Sequence, residues 1–189
     1  MARRKVTFVQ GHYYHIYNRD SNREAIFRAP ENDLFLLKRL GRFAVQKSIA
    51  VVAYCLMPNH YHFLLRQDGT HKISEFIQAV FNSYSKAFNK RHNRTGTLFE
   101  GPFKSIHVDK RDYLVYLCRY IHRNPLEAGL VSDLEEWPYS NYLEWIGLRN
   151  GKLVDLAFVR DYFKSVDDYR VFSVGEEANN KIRNYMFDE

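Results

Sequence analysis

The sequence predicts an α+β fold, in which an antiparallel four-stranded sheet carries helices on one face and is followed by a C-terminal helical and loop extension. Three observations lead to this fold class. The chain has 189 residues, of which 46% are hydrophobic and 16% aromatic, enough to bury the core of one domain. Strand-like and helix-like stretches alternate in the order β-α-β-β-α-β-α. The first six of these elements match the ferredoxin-like arrangement.

The first half of the chain supplies three strands and one helix. HYYHIYNR (12–19) is rich in aromatic residues and predicts a strand. PENDLFLLKRLGRFAVQKS (30–48) predicts a helix, since proline suits a first helical turn and good helix formers follow it. IAVVAYCLM (49–57) is a nearly continuous apolar run and predicts a buried strand. After a Pro-Asn turn, HYHFLLRQ (60–67) returns as its hairpin partner.

Two further helices enclose the last strand. The apolar residues of the second helix, predicted over 71–91, recur at helical spacing: Ile73, Phe76, Ile77, Val80, Phe81, Tyr84 and Phe88. KSIHV (104–108) predicts a short strand after a polar loop. We expect Asp109 to cap the third helix, whose core stripe comprises Leu114, Leu117, Cys118 and Ile121. This helix should end at Asn124, because Pro125 disfavours the α conformation in the residue before it.

Charge is distributed unevenly along the chain. Residues 1–132 carry 21 Lys and Arg against 10 Asp and Glu, whereas residues 133–189 carry 7 against 12. We therefore divide the chain into a basic domain (1–132) and an acidic C-terminal extension (133–189). The basic domain suggests a polyanionic partner, nucleic acid above all, although charge alone fits a solvated basic surface equally well.

The sequence also indicates a compartment. Cys55 and Cys118 are too few to suggest a disulfide framework, and the N-terminal stretch lacks the apolar region of a secretory signal. No apolar run approaches the ~18 residues that span a bilayer. We therefore expect a cytoplasmic protein.

MPNHYHFLL (57–65) places two histidines one residue apart on a predicted strand. Because residues i and i+2 of a strand face the same way, His60 and His62 present both imidazoles to one side, while Tyr61 faces the other. Two imidazoles so placed can hold one metal ion if a third ligand is supplied. A bare H-x-H pair more often belongs to ordinary strand histidines, so the motif alone leaves the metal site open.

The third ligand could come from the last helix. Tyr120 and Asn124 are four residues apart and therefore neighbours on one helix face. Asn124 offers a neutral carbonyl oxygen, and Tyr120 offers a phenol, which needs a base or a cation to act as a nucleophile at its usual pKa of ~10. The same spacing also fits two packing residues of an amphipathic helix.

Four separated blocks within residues 12–142 carry a further signal: VVAYCLMPNHYHFLL, YSKAFNKRHNRTGTLFEGPFKSIHV, YLCRYIHRNPLEAGLV and EWPYSNY. In this order they resemble the HUH single-tyrosine transposases (IS200-like), most closely the branch of REP-associated tyrosine transposases. The resemblance implies that residues 1–132 form a ferredoxin-like catalytic domain. It also implies cleavage and joining of single-stranded, hairpin-forming DNA with Mg²⁺ or Mn²⁺, through a 5′-phosphotyrosine intermediate.

The family's roles carry over to the matching positions. The resemblance makes His60 and His62 metal ligands and Tyr120 the nucleophile of a Tyr-Ile-x-x-Asn-Pro block. Asn124 matches the third ligand, which is Gln in many insertion-sequence relatives, and it keeps the amide oxygen with one methylene less of reach. Tyr84 is a rival nucleophile by residue type, but its place on the apolar stripe of the second helix predicts core packing.

The predicted DNA contacts are basic residues at the end of the second helix, on the last strand and beside Tyr120. They are Lys86, Lys90, Arg91, Arg94, Lys104, Arg119 and Arg123. Phe88, Phe99 and Phe103 are interleaved with them and could stack on unpaired bases. We expect Phe88 and at least one of the others to pack in the core instead.

The sequence therefore predicts a metal-dependent transposase that cleaves and transfers single strands of DNA. One alternative is a catalytically idle protein that binds DNA hairpins on the same fold. The other is a metal-dependent phosphodiesterase that uses activated water, with Tyr120 as a bystander. The sequence contains no Walker-type GxxxxGK[ST] loop, in line with strand transfer that needs no ATP. The choice between monomer and homodimer stays open.

Overall fold

The computed structural model describes residues 6–20 and 22–175, and it confirms the predicted fold class. Four strands form an antiparallel sheet in the order β2-β3-β1-β4. They are β1 (Tyr13–Arg19), β2 (Ile49–Met57), β3 (His60–Gln67) and β4 (Lys104–Val108). The strand limits predicted from hydrophobic periodicity agree with these to within one residue, because each strand is bounded by local turn signals.

Six helices accompany the sheet in the part of the chain that the structure describes. They are α1 (Pro30–Lys47), α2 (Ile73–Arg91), α3 (Leu114–Glu127), α4 (Tyr142–Trp145), α5 (Leu156–Tyr162) and α6 (Val166–Val174). Short 3₁₀ turns precede α3 and α4. None of the helices in residues 6–20 and 22–175 has the length and apolar character that crossing a membrane requires.

Each face of the sheet has its own hydrophobic core. Helices α1 and α2 pack on the face that carries Tyr14, Tyr61 and Phe63, as expected for the ferredoxin-like unit. Helix α3 packs on the opposite face, over Cys55 and Leu64, and shares that core with apolar residues of the C-terminal extension. The extension therefore contributes to the core beneath α3, and its separation at residue 133 as a distinct unit stays a prediction.

The limits of α3 differ from the predicted ones. A 3₁₀ turn at Arg111–Tyr113 leads into the helix, so the predicted cap, Asp109, lies outside it. The helix also continues three residues beyond Asn124, through the buried Pro125. Burial of Pro125 and backbone bonds just beyond it, including Ala128 N–H to Asn124 O at 3.0 Å, hold this last turn. Tertiary packing thus outweighs the local preference of a residue before proline.

The outer edge of β2 is covered by a segment of the extension. The N–H of Leu56 donates to Tyr139 O (2.9 Å), and the N–H of Tyr54 donates to Asn141 Oδ1 (2.7 Å). The side-chain amide of Asn141 also donates to Val52 O (2.9 Å). We call residues 137–145 the edge segment. It lies within and just beyond the EWPYSNY block.

Candidate active site between the sheet and helix α3

The two histidines of the H-x-H motif lie on the sheet face that α3 covers. His60 and His62 are 8% and 0% exposed, and the alternation along β3 sends Tyr61 into the opposite core. Tyr17 of β1 and Cys55 of β2 stand directly opposite His62. The imidazole pair thus lies on a buried sheet surface, with His60 at its edge beside the β2–β3 turn.

Tyr120 projects from α3 onto this pair. Its ring centroid lies 5.6 Å from that of His62 and 6.2 Å from that of His15, edge to face in both cases. The centroids of His60 and His62 are 5.0 Å apart. The structure therefore brings the predicted nucleophile and the predicted metal-binding histidines together.

Asn124 lies one helical turn beyond Tyr120. Its side-chain nitrogen donates to the Tyr120 carbonyl oxygen at 2.8 Å, and the residue is buried. This bond engages the amide nitrogen and leaves the amide oxygen as the atom able to accept a bond or to ligate a cation. Asn124 is thereby tied to the same turn of helix as Tyr120.

Both histidines of the pair are hydrogen-bonded through Nδ1. His60 Nδ1 donates to Asn59 Oδ1 at 2.7 Å, and His62 Nδ1 lies 3.1 Å from His15 Nε2. The other ring nitrogen, Nε2, is therefore the one that each can offer to a metal. Burial, reinforced by the neighbouring imidazoles of His15 and His60, lowers the pKa of His62 well below its usual value, so the ring is neutral at pH 7.

The donor set fits a divalent cation in its chemistry. Two neutral imidazoles and an amide oxygen make a mixed nitrogen and oxygen set, which Mn²⁺ accepts and which leaves room for phosphate oxygens. Within the described part of the chain, no group of three or more His, Cys, Asp and Glu side chains could hold a metal ion. A site completed by Asn124 does not belong to that class, because its third ligand is an amide.

Sequence reasoning missed three residues that surround the pair. His15 contacts His62 directly, and a cavity of about 390 Å³ beside His60 is lined by Arg19 and Arg23, with the Pro58-Asn59 turn. His15 and Arg19 alternate on β1 so that both share the face of His62. The alternation is visible in HYYHIYNR, but the register of β1 against β3, which sets His15 beside His62, is not.

The predicted DNA contacts fall into separate places. Lys86, Lys90 and Arg91 are exposed near the end of α2, which covers the face away from Tyr120, and Arg94 lies close behind them. Lys104 is exposed on β4, where it pairs with Tyr17 on the same face as the histidines. Lys104 is thus a predicted DNA contact that is exposed to solvent and lies on the same face of the sheet as the candidate site.

The two arginines that flank Tyr120 have partners at the C-terminal end of α6, in its last turn and just beyond it. Arg119 is 2% exposed and donates to the carbonyl oxygen of Gly175. Arg123 donates to Ser173 O at 3.0 Å and pairs with Glu127 at 2.7 Å. Both guanidinium groups hold the end of α6 against α3, and their contact with DNA stays a prediction.

Burial shows which of the tyrosine and phenylalanine side chains with two possible roles pack in the core. Tyr84 is buried in the core under α1 and α2, and its hydroxyl donates to the carbonyl oxygen of Ile26. Phe88 and Phe103 are buried, and Phe99 packs against the same core. The expected core roles of Tyr84, of Phe88 and of a further phenylalanine are confirmed.

Known proteins resemble this chain in sequence and in fold. A REP-associated tyrosine transposase of Haemophilus influenzae is 26% identical over an alignment of 102 residues, and the match covers 48% of this chain and 57% of the relative. The chain therefore matches little more than half the length of that relative. A solved structure of a REP-associated tyrosine transposase bound to a REP hairpin superposes with a TM-score of 0.64 at 14% identity, covering 82% of this chain and 98% of the other.

A family model agrees with these two comparisons. The model described as IS200-like transposase matches residues 8–124, more than half of the chain. The matched range begins before β1 and ends at Asn124, so it contains His60, His62 and Tyr120. The chain belongs to the IS200-like transposase family.

Proposed function

We propose that the chain cleaves and rejoins single-stranded DNA beside a hairpin, through covalent attack by Tyr120 on a phosphodiester. The observation that carries the proposal is the approach of the Tyr120 ring to His62, 5.6 Å between centroids, with Asn124 one turn further along the same helix. A phenol, two imidazoles and an amide then share one buried surface. Membership in a transposase family supports this reaction class.

The proposed step exchanges one ester bond for another. Tyr120 Oη attacks the scissile phosphorus and loses its proton to the solvent, while the bond from phosphorus to the 3′ oxygen breaks. The departing oxygen takes a proton and becomes a 3′ hydroxyl, and the phosphate stays on Tyr120 as a 5′-phosphotyrosine. A 3′ hydroxyl of another strand can then attack this ester and release Tyr120. The bond energy is retained throughout, so ATP is not required.

His60, His62 and Asn124 are the residues that would hold Mg²⁺ or Mn²⁺ at this surface. When bound, such a cation supplies Lewis-acid stabilisation of the charge that develops on the phosphate oxygens. The three ligands are neutral, so they do not offset the positive charge that faces the DNA. Asn59 and His15 orient the imidazoles through their Nδ1 atoms.

The proposed substrate is DNA with a hairpin and an unpaired flank. The structurally similar transposase was solved in complex with a REP hairpin, which suggests this class of substrate here. The cavity beside His60, lined by Arg19 and Arg23, suits a backbone phosphate next to the scissile one. In this proposal Lys104 contacts the unpaired flank, and the basic residues at the end of α2 contact the duplex stem.

The decisive experiment is the capture of a covalent protein–DNA species. Protein, Mn²⁺ and an oligonucleotide with a hairpin and a single-stranded flank should give an adduct that survives a denaturing gel. Tyr120→Phe removes one hydroxyl and should abolish both the adduct and the nick. Tyr116→Phe is a matched control one turn earlier on α3, and Tyr84→Phe tests the rival tyrosine. Both controls should retain the adduct.

Other outcomes distinguish the alternatives. A nick with a free 5′ phosphate that persists in Tyr120→Phe would favour water as the nucleophile. A retarded hairpin with no nick under any metal condition would favour the idle binder. Full cleavage in excess EDTA, or by His60→Ala, would refute the metal-dependent step. An adduct lost in Tyr84→Phe but kept in Tyr120→Phe would identify Tyr84 as the nucleophile.

A further inference from the structure

The two histidines of the H-x-H pair are held by chemically different partners. His60 Nδ1 meets the side-chain oxygen of Asn59 at 2.7 Å, and an amide oxygen can only accept a hydrogen bond. His62 Nδ1 meets His15 Nε2 at 3.1 Å, and an imidazole nitrogen can either donate or accept. The tautomer of His60 is therefore fixed by Asn59, whereas the tautomer of His62 depends on that of His15.

The sheet itself holds His15 against His62. Tyr17 stands opposite His62 in the β1–β3 register, and His15 lies two residues away on the same face, diagonal to His62. The two rings are nearly parallel, with 22° between their planes and 5.3 Å between their centroids. Both residues are completely buried. The contact cannot be exchanged for a water contact without separating two paired strands.

The shared proton has two possible positions. If it lies on His62 Nδ1, then His62 Nε2 carries a lone pair and can ligate a cation, while His15 holds its own proton on Nδ1. If it lies on His15 Nε2, then His62 is protonated on Nε2 and cannot ligate. Whether His62 can ligate a cation thus depends on which of the two hydrogen-bonded nitrogens, His62 Nδ1 or His15 Nε2, carries the proton.

We propose that His15 is a positioning residue, which accepts the Nδ1–H of His62 and keeps His62 in the tautomer that can bind a divalent cation. The role of that cation rests on the proposed function, but the tautomer assignment does not. Removing the partner that orients a histidine ligand typically weakens metal binding by about 10- to 100-fold. We expect an effect of this size from the loss of the His15 nitrogen.

Two substitutions separate the hydrogen bond from the shape of the ring. His15→Phe keeps a planar ring and removes the acceptor, whereas His15→Gln places an amide oxygen near the position of Nε2. Mn²⁺ binding to the DNA-free protein, measured by titration calorimetry and by the EPR signal of free Mn²⁺, should weaken about 10- to 100-fold in His15→Phe. It should return close to the wild-type value in His15→Gln. His12→Phe, just before β1, is the control and should not change it. Wild-type affinity in a folded His15→Phe would overturn the proposal.

A second measurement reads the tautomer without metal, DNA or turnover. Long-range ¹H–¹⁵N spectra of the metal-free protein with ¹⁵N-labelled histidine distinguish Nδ1–H from Nε2–H rings. His62 should be an Nδ1–H ring in the wild type and in His15→Gln, and should shift toward Nε2–H in His15→Phe. An Nε2–H ring at His62 in the wild type would refute the role of His15, even if His15→Phe does not fold. Correct tautomers in a protein that binds no Mn²⁺ and forms no adduct would instead refute the proposed function.

Discussion

His122 joins the helix of the proposed nucleophile to the C-terminal extension, and its replacement measures how much this contact stabilises the fold. The side chain is completely enclosed between α3, the edge segment and α6. Its Nε2 lies 2.8 Å from Asn141 Oδ1, and its Nδ1 lies 2.5 Å from Tyr169 Oη. An amide oxygen only accepts, so Nε2 carries the proton and Nδ1 accepts from the tyrosine hydroxyl. Every polar atom of the ring is thus satisfied in one tautomer.

His122→Leu keeps most of the volume and removes both hydrogen bonds. Each lost bond costs about 1 kcal/mol, and the Tyr169 hydroxyl, left buried without its acceptor, costs roughly 1–3 kcal/mol more. Added apolar contact of the leucine offsets part of this, so we expect a loss of about 3 kcal/mol at pH 7.5. For a chain of this length that corresponds to a fall in Tm of roughly 6–12 °C. His71→Leu, at an exposed site on the surface, should change little.

The effect should depend on pH in a known direction. Burial lowers the pKa of His122 from 6.5 to about 4. Between these values the unfolded wild type binds a proton that the folded protein excludes, so the contribution of the neutral ring falls as the pH decreases. Each pH unit below 6.5 lowers the free energy of unfolding of the wild type by about 1.4 kcal/mol. The difference in this free energy between wild type and His122→Leu should therefore narrow by about 2 kcal/mol at pH 5. Below about pH 4 it should change no further.

Urea denaturation of four proteins measures both effects. They are the wild type, His122→Leu, Tyr169→Phe and the double variant, each at pH 7.5 and pH 5. Because the double variant no longer leaves a tyrosine hydroxyl unpaired, its loss should be smaller than the sum of the two single losses, with a coupling of about 0.5–3 kcal/mol. A loss below 1 kcal/mol for His122→Leu, or a difference from wild type that does not narrow at pH 5, would contradict the two buried hydrogen bonds assigned to His122.

Three further predictions concern other parts of the molecule. Burial raises the pKa of Asp33 to about 7. The folded state therefore loses stability as the pH rises from about 4 to 7, and Asp33→Asn should raise the free energy of unfolding at pH 8 by on the order of 1–2 kcal/mol after allowance for solvent screening, with little gain at pH 4. Burial also raises the pKa of Cys55 and Cys118. Ellman's reagent should thus label neither thiol in the native protein at pH 8 and both in urea, and fast native labelling would contradict their burial. Lys90→Gln should lower the slope of log affinity for a hairpin against log salt by about 0.7–0.9, whereas Lys164→Gln, at an exposed position of the acidic extension, should leave it unchanged. Equal slopes in the two variants would count against this distinction.

The strands and the first two helices follow from local signals, and sequence reasoning could find them. The β2–β3 hairpin, for example, combines an apolar run with a Pro-Asn turn, and both signals lie within a few residues. The end of α3 could not be found in the same way. Pro125 stays helical because it is buried within this domain, and burial is a property of the assembled core rather than of the neighbouring residues.

The candidate site likewise combines features that local sequence predicts with features that only tertiary packing determines. The shared face of His60 and His62 follows from the two-residue period of a strand, which needs no tertiary knowledge. The contact of His62 with His15 depends on a register between strands 47 residues apart in sequence, so no local pattern reveals it. Arg119 shows the same limit. Its place next to Tyr120 predicts a contact with the DNA backbone, and that stays a prediction, but no local pattern reveals that its side chain donates to the carbonyl oxygen of Gly175, just beyond α6.

The edge segment has a consequence for how copies of this chain could associate. The indole nitrogens of Trp137 and Trp145 donate to Leu56 O (3.1 Å) and Val52 O (3.2 Å), in addition to the bonds made by Tyr139 and Asn141. The backbone groups that β2 turns outward between Val52 and Leu56 are therefore engaged, and an edge with engaged groups does not template a strand from another molecule. Two copies that paired their sheets through β2 would first have to break these hydrogen bonds and displace the edge segment. Within the described residues, sheet-to-sheet pairing is left to β4, whose five residues offer only a short run of backbone bonds.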